Sequence, residues 1–518
     1  MFRILISRLF ATFKGDFSVA RWFLPFAFLG LASPTVINYS PQPLAWDEAY
    51  YLHRAICMNH AAYSFRWSRV TECLASTHKG PVIELIDLPW GRVGGTDWGV
   101  GLAFVALALF VWLLVLTTYL TCLGGGIPPM SLLLAAGTVC LTPFLRQTGG
   151  DMMTDTLLGW TAASALVLIP FEYNRPQHTF MESLLRGFLW GLIFDVGLLS
   201  KVTFGFFAGI IGLVLIIIRW RRSGVRPLLY TLVGCTVGAT PTILIWLFYG
   251  RAFLRFANMV AWGELAHLWN TPGMTATAYL KGYFSGLGWA LIPLLLLLCL
   301  FVRGFLIERQ GRLARLLPMG IMLIYLGTAL TSQNRDPRFT IPIMIGMPFC
   351  LAWSNLKSES KATARPASIL GALLVCMVFA IPMVGRPDIV PIQRDRELLE
   401  KLSQGRPTTI MLATEGVLFN VETVELARQL GGEHLRPVRV DTLAYDEVNK
   451  RSLEEGFERI DKADYVLFLK PGNSLGPDWT MTRAKDYRAH CEKVGTLMSA
   501  QISSDFDVFK VEGEYSTP

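Results

Sequence analysis

Two pairs of carboxylates are the clearest candidates for chemistry in this sequence. Asp47 and Glu48 are adjacent, directly after Trp46, and two neighbouring carboxylates suit a general base or a metal ligand. Asp151 and Asp155 are four residues apart, so a helix would place both on one face. Each pair also has a structural interpretation, because acidic residues at the start of a helix cap it and stabilise its dipole.

Two lysines are candidates for binding an anion. Lys79 stands between His78 and a Gly-Pro pair, and lysine offers a compact positive charge suited to phosphate. Lys201 lies between two short apolar runs. A cation in that position requires a partner or an interface, and the alternative is that its side chain extends to the membrane surface.

Two arginines form a second group of basic candidates. Arg335 and Arg338 stand just before an apolar run. Arginine binds phosphate and diphosphate groups bidentately, which favours an anionic ligand here. The alternative is that the arginines pair with Asp336, which lies between them.

The polar residues that follow Asp47 complete the candidate set. His53 and Arg54 are candidates for polar contacts, and Tyr50 belongs to the same segment. The spacing of the histidines matches no zinc motif. A divalent metal ion is therefore only a candidate cofactor, with unknown ligands.

The composition places these residues in a membrane protein. Of 518 residues, 52% are hydrophobic and 17% are charged, whereas about a quarter are charged in a soluble domain. The mean hydropathy is +0.42. This composition excludes a purely soluble enzyme, a disordered chain and a fibrous repeat. The net charge of +8 fits basic cytoplasmic loops, so we expect no nucleic-acid partner.

Apolar runs of roughly 20 residues predict membrane-spanning helices. We count eleven of them, and the first has a signal peptide as its alternative. The eleven predicted spans are 21–38, 98–122, 128–146, 153–171, 184–199, 203–219, 227–249, 283–302, 316–332, 339–355 and 367–385.

The distribution of Lys and Arg predicts the orientation of these spans. The N-terminal segment and three later basic connections, 219–226, 303–315 and 357–365, fall on one side, which we predict to be the cytoplasm. The opposite, outer side then receives the first large loop, 39–97, everything after residue 386, and the segments 147–152, 199–202, 250–282 and 333–338. Cys57 and Cys73 share that first loop, and an oxidising compartment would allow them to form a disulfide.

The last 130 or so residues have a different pattern. Short apolar runs predict strands at 409–413, 437–440, 465–469, 495–500 and 508–511, alternating with helices at 420–431, 446–462 and 479–493. Asp446 is a predicted helix cap and Gly431-Gly432 a predicted helix end. We therefore expect a membrane domain over 1–386 and a small soluble α/β domain over 387–518 on the outer side.

The ordered set of motifs resembles a family of GT-C-fold glycosyltransferases. Asp47-Glu48-Ala49-Tyr50-Tyr51 follows the first span, His78-Lys79-Gly80-Pro81 lies later in the first loop, and Asp155-Thr156-Leu157-Leu158 opens a span. Leu199-Ser200-Lys201 and Pro337-Arg338-Phe339 add to the likeness. The similarity covers roughly 20–350 and is greatest to the protein mannosyltransferase-like group that includes the lipid A aminoarabinose transferase.

The resemblance implies a polyprenyl-phosphate sugar donor and transfer on the outer face of a cytoplasmic membrane. It implies Asp47 as the catalytic base, Asp155 as a second active-site carboxylate, and Lys79 and Arg338 near the donor phosphate. The sequence departs from the aminoarabinose enzymes at His78, where they have an acidic residue, and at Tyr50, where they have an arginine. The resemblance therefore does not imply a metal site that uses that acid, and it does not imply the donor sugar of the aminoarabinose enzymes.

These observations predict an inverting glycosyltransferase in the inner membrane. Its hydroxyl acceptor is a glycan, a lipid or a protein. The alternative is a transporter or flippase for a lipid-linked saccharide, but the sequence shows no repeated halves and no matching pair of interrupted helices.

Overall fold

The fold is taken from a computed structural model of the chain. The described residues are 38–39, 46–75, 81–87, 129–145, 154–174, 179–261, 274–307, 312–332, 335–352, 384–385, 390–416, 418–470, 480–498, 502–503 and 505–512. The predicted spans 21–38, 98–122 and 367–385 lie wholly or almost wholly outside the described residues.

Between residues 46 and 352, the described part of the chain is mostly helical. The first three are short segments of the predicted outer loop, and the others are mostly apolar. They are α1 (Trp46–Tyr63), α2 (Trp67–Ala75), α3 (Val82–Asp87), α4 (Pro129–Leu141), α5 (Thr154–Asn174), α6 (Phe180–Ser200), α7 (Phe204–Ser223), α8 (Val225–Gly238), α9 (Thr240–Ala261), α10 (Ala276–Leu287), α11 (Leu291–Ile307), α12 (Arg312–Thr331) and α13 (Ile341–Ala352).

Three of the described helical segments are long and apolar enough to cross a membrane: Phe180–Ser200, Phe204–Ser223 and Ala276–Leu306. The bent pair α8 and α9 makes a fourth if it forms one span. Large apolar side chains such as Leu247 and Phe248 are about three-quarters exposed, at 74% and 78%. Such apolar exposure suits contact with lipid better than contact with water.

The predicted span 227–249 is not one straight helix, and that prediction is corrected here. Helices α8 and α9 are bent by 62° at Ala239. Pro241 has no backbone N–H to continue the hydrogen-bond ladder of α8. Asp195 of α6 accepts a 2.7 Å hydrogen bond from the backbone N–H of Thr242, which stabilises the start of α9.

A buried polar cluster joins four helices of the bundle. Glu172 of α5 contacts Arg186 of α6 at 3.1 Å and Arg219 of α7 at 3.3 Å. Arg219 also donates to Ser183 and to Thr231 of α8, at 2.6 and 3.2 Å. All five residues are at most 7% exposed. One carboxylate therefore balances part of the charge of two buried guanidinium groups.

The C-terminal α/β unit, which we define as residues 390–512, contains a five-stranded sheet. Its strands are β3 (Thr408–Leu412), β4 (Val438–Thr442), β5 (Tyr465–Leu469), β6 (Gly495–Leu497) and β7 (Phe506–Val511). The strand order is β4-β3-β5-β7-β6; β3 pairs in parallel with β4 and β5, and β7 pairs antiparallel with β5 and β6. A separate parallel pair joins β1 (Asn38–Tyr39) to β2 (Val384–Gly385).

All five predicted strands of this unit are present, with ends shifted by up to three residues. Its helices are α14 (Val390–Ser403), α15 (Val421–Leu430), α16 (Leu453–Asp461) and α17 (Ala484–Val494). Gly431 ends α15 as predicted. Asp446 does not cap a helix; Ser452 caps α16, while buried Asp446 binds Arg459 and Tyr487. The prediction of a helix beginning at 446 was therefore wrong.

The C-terminal α/β unit packs directly on the outer-loop helices. Helix α15 lies against α1, and α14 lies against α15. One hydrophobic core is continuous from Tyr50 and Leu52 of α1 to Val424 of α15 and Leu398 of α14. A disulfide between Cys57 of α1 and Cys73 of α2 joins these two helices, which confirms that the cysteines pair.

The buried polar cluster predicts a large stability difference between two substitutions of glutamate. Glu172→Gln leaves Arg186 and Arg219 buried without this carboxylate, so we expect it to lower the free energy of unfolding by about 3–5 kcal/mol. Glu182→Gln, on the exposed first turn of α6, is the matched control and should change little. Thermal unfolding in detergent measures both, and equal midpoints for the two variants would contradict the prediction.

The disulfide predicts a stabilising cross-link. Cys57 and Cys73 are 16 residues apart. Closing a loop of about 15 residues stabilises a protein by roughly 3 kcal/mol. We expect Cys57→Ser to lower the thermal midpoint as much as a reductant lowers it in the unmodified chain. Reductant should then have no further effect on the variant. Thermal unfolding with a thiol count by maleimide labelling measures this, and two free thiols in the untreated chain would show that no disulfide forms.

Candidate active site

An ion pair between distant parts of the chain forms the centre of the candidate site. Asp47 lies in the first turn of α1, and Arg338 lies in a short 3₁₀ turn, Pro337–Thr340, directly before α13. Arg338 Nη1 is 3.2 Å from Asp47 Oδ2. Both side chains are 33% exposed, so a ligand can reach them.

Asp336 holds the same arginine from its other side. It caps the 3₁₀ turn, because its Oδ1 accepts a 2.9 Å hydrogen bond from the backbone N–H of Arg338. Its Oδ2 accepts from Arg338 Nε at 2.9 Å and from Nη2 at 2.6 Å. Burial raises the pKa of Asp336, but the charge and hydrogen bonds of Arg338 outweigh burial and lower it overall. Asp336 is therefore a carboxylate at neutral pH.

A second ion pair lies beside the first. Asp155 is buried in the first turn of α5, and Lys201 directly follows the last residue of α6. Their side chains form an ion pair at 2.5 Å. Lys201 Nζ also lies 4.9 Å from the ring centre of Phe339, the neighbour of Arg338, and its charge acts on Asp336. The two ion pairs thus belong to one site.

Tyr51 links α1, which carries Asp47, to α5, which carries Asp155. Its side chain is buried, and burial raises the pKa of the phenol. The charges of Asp47 and Glu84 raise it further, whereas a hydrogen bond with Thr154 opposes them. The phenol therefore stays protonated, and its hydrogen bond with Thr154 joins α1 to the first residue of α5.

The C-terminal α/β unit also reaches this site. His53 Nε2 of α1 lies 3.5 Å from Glu422 Oε2 of α15. Burial raises the pKa of Tyr445, and the charges of Glu415, Glu422 and Asp47 raise it further. The proximity of Tyr445 to Asp47 was not predicted from sequence, because no motif in the C-terminal residues marks them as part of a site.

The predicted residues after Asp47 contact one another and the segments packed against α1. The buried ring of Tyr50 is edge-on to Tyr51, with its centre 5.8 Å from the centre of the His53 ring. Arg54 lies over the Tyr50 ring at 5.0 Å and donates a hydrogen bond to the carbonyl of Cys73. These residues hold α1 against α2 and the C-terminal α/β unit.

The other predicted site residues have different outcomes. Arg335 donates hydrogen bonds to the carbonyls of Leu330 and Met274, at 3.1 and 3.3 Å, so these contacts hold the loop before the 3₁₀ turn. Its role at a donor phosphate stays a prediction. His78, Lys79, Asp151 and the side chain of Glu48 lie outside the described residues.

The arrangement suits proton transfer next to a negatively charged group. Within the ranges that the structure describes, no three His, Cys, Asp or Glu side chains converge on a metal site. Asp47 is a partly exposed carboxylate that can accept a proton. Arg338 and Lys201 provide positive charge within the same site, which can stabilise a phosphate that gains charge as a bond breaks.

Comparison with solved structures identifies the fold. A crystal structure of ArnT from Cupriavidus metallidurans bound to undecaprenyl phosphate matches with a TM-score of 0.57 and 12% identity, over 96% of this chain and 99% of that one. The chain has the GT-C fold of ArnT. The apo ArnT structure matches with a TM-score of 0.56 and 12% identity, over 97% of this chain and 100% of that one.

The match to ArnT confirms the predicted GT-C fold. Together with the apolar helices it identifies the chain as an integral membrane protein. No family model matches the sequence, and no curated protein matches it. At 12% identity to ArnT, the likeness is one of fold, so the activity of this chain has to be argued from its own residues.

The burial of His53 predicts a pH dependence of stability. Burial, together with the smaller effect of the charges of Arg54 and Arg428, lowers the pKa of His53 to about 3. The imidazole is therefore neutral at pH 7, and its contact with Glu422 is not a pair of full charges. The unfolded chain, with a histidine pKa of about 6.5, binds more protons below that pH. Stability should fall as the pH decreases from 6.5 towards 3.

We expect a loss of up to about 1.4 kcal/mol per pH unit in that window. Thermal unfolding at pH 7.5 and at pH 5.0 measures it. His53→Gln should remove this part of the pH dependence, whereas His434→Gln, at an exposed position, should retain it. An identical pH dependence in both variants would show that His53 is not the responsible group.

Proposed function

We propose that the chain is a glycosyltransferase that moves a sugar from a polyprenyl-phosphate donor to a hydroxyl acceptor. The contact of 3.2 Å between Asp47 and Arg338 is the observation that supports it best. It supports the proposal because a carboxylate that can accept a proton and a guanidinium that can bind phosphate lie in contact beside apolar helices. The ArnT fold adds support, because one ArnT structure holds undecaprenyl phosphate.

In the proposed reaction, Asp47 accepts the proton of the acceptor hydroxyl. The hydroxyl oxygen forms a bond with the anomeric carbon of the sugar, and the bond from that carbon to the phosphate oxygen breaks. The electron pair of the broken bond remains on the phosphate. Arg338 and Lys201 stabilise this added charge, and electrostatic stabilisation of this kind is commonly a large part of catalysis. Attack from the side opposite the phosphate inverts the configuration of the sugar.

We place the reaction on the outer face of the cytoplasmic membrane. The disulfide between Cys57 and Cys73 supports this side for α1 and α2, because disulfides persist in oxidising compartments. The polyprenyl tail of the donor remains in the bilayer beside the apolar helices. The C-terminal α/β unit packs on α1 and therefore lies on the same side, with the acceptor approaching from outside.

Replacement of the proposed base provides the direct test. We expect Asp47→Asn to reduce sugar transfer by at least about 100-fold, since loss of a general base typically has an effect of this size or larger. The assay uses purified full-length protein and a panel of radiolabelled polyprenyl-phosphate sugars, and it follows release of the sugar from the lipid. Thermal unfolding of the variant checks that it is folded.

Asp486→Asn is the matched control, because Asp486 is exposed on α17. It should retain full activity. Sugar release that continues in the Asp47→Asn protein would exclude Asp47 as the base. Movement of an intact lipid-linked sugar across a proteoliposome membrane, without cleavage of any donor, would favour a transporter instead.

A further inference from the structure

The two carboxylates that hold Arg338 do so in unequal ways. Asp336 is two residues away in sequence, caps the 3₁₀ turn and accepts hydrogen bonds from the backbone N–H, Nε and Nη2 of Arg338. These contacts form within one short turn. Asp336 and Arg338 therefore remain together whatever happens elsewhere in the site.

The contact with Asp47 is of another kind. It is a hydrogen bond of 3.2 Å from Nη1, between residues 291 positions apart. Both side chains are one-third exposed, and an ion pair with this exposure contributes little net free energy. An anionic ligand can therefore replace Asp47 at Nη1 while Asp336 retains Nε and Nη2.

We propose that the donor phosphate replaces Asp47 at Arg338 Nη1, and that this exchange releases the Asp47 carboxylate to act as the base. Asp336 is the positioning residue that keeps the guanidinium in place during the exchange. This inference rests on the proposed function and adds a regulation of the same site. Before the donor binds, Arg338 neutralises Asp47; after it binds, Asp47 is available to the acceptor.

The charges balance through the reaction. The donor phosphodiester carries one negative charge and takes the place of one carboxylate at Nη1. When the sugar is transferred, the acceptor proton moves to Asp47 and the electron pair of the broken bond stays on the phosphate. Neutral Asp47 then no longer competes for Arg338. When Asp47 loses its proton to water, its carboxylate regains its charge and competes again for Arg338.

Binding of undecaprenyl monophosphate to the full-length protein in nanodiscs tests this exchange. Asp47→Asn removes the competing carboxylate, so we expect its dissociation constant to fall by about two- to fivefold. Asp336→Asn removes the same charge and keeps the cap of the turn, because asparagine also caps. It weakens the hold on the guanidinium, so we expect its dissociation constant to rise.

The two substitutions should change the dissociation constant in opposite directions. This difference distinguishes the exchange from simple repulsion of the phosphate by the carboxylates. If the carboxylates acted only by repelling the phosphate, both substitutions would tighten binding. Asp486→Asn removes an exposed charge from the C-terminal α/β unit, and it should leave binding unchanged. If Asp336→Asn does not fold, Asp47→Asn is compared in an Arg338→Gln background. There the gain in affinity should disappear.

Three outcomes would overturn the proposal: unchanged or weaker binding by Asp47→Asn, tighter binding by Asp336→Asn, or a gain that persists in the Arg338→Gln background. If Asp47→Asn loses sugar transfer but binds the lipid phosphate with unchanged affinity, the exchange is wrong and the proposed function stands. If neither the unmodified chain nor any variant binds undecaprenyl monophosphate, both are wrong.

Discussion

The guanidinium of Arg338 is the group on which the organisation of the site depends. It joins the 3₁₀ turn before α13 to the first turn of α1 through Asp47, and its neighbour Phe339 lies against Lys201 at the end of α6. Three separate segments of the chain therefore meet at this 3₁₀ turn. A planar group with several donors can hold two carboxylates at once, which a lysine ammonium cannot do with fixed geometry.

The C-terminal α/β unit extends this arrangement beyond the bundle. Because α15 packs on α1, the C-terminal α/β unit holds the helix that carries Asp47. The disulfide to α2 holds the same helix from another side. Helix α1 is therefore fixed along its length, and the carboxylate at its start has a defined position.

Sequence reasoning located the charged residues of the site better than it located their partners. Asp47, Asp155, Lys201 and Arg338 were recognisable because ionisable residues beside apolar runs are costly and commonly functional. Pairing between residues far apart in sequence depends on the packing of helices, which the spacing of charges does not reveal. The pairing of Arg338 with Asp336 was foreseen as an alternative to anion binding, and the structure shows that pairing.

The buried cluster around Glu172 shows another limit of sequence reasoning, since Arg219 had the appearance of an ordinary loop arginine. Pro241 indicates the bend between α8 and α9, but the continuous apolar run around it predicted a single helix. Helix α14 was missed although Leu398, Leu399 and Leu402 form an apolar helical face.

The separation of Asp47 and Arg338 along the chain has a consequence for biogenesis. They are 291 residues apart, and at ordinary rates of synthesis roughly 15–60 s pass between the emergence of one and the other. During that interval the newly made α1 presents Asp47 without its guanidinium. Any protein product that ends after residue 47 and before residue 338 has the proposed base and lacks the cation that neutralises it. The ion pair thus forms only once nearly all of the bundle has been translated.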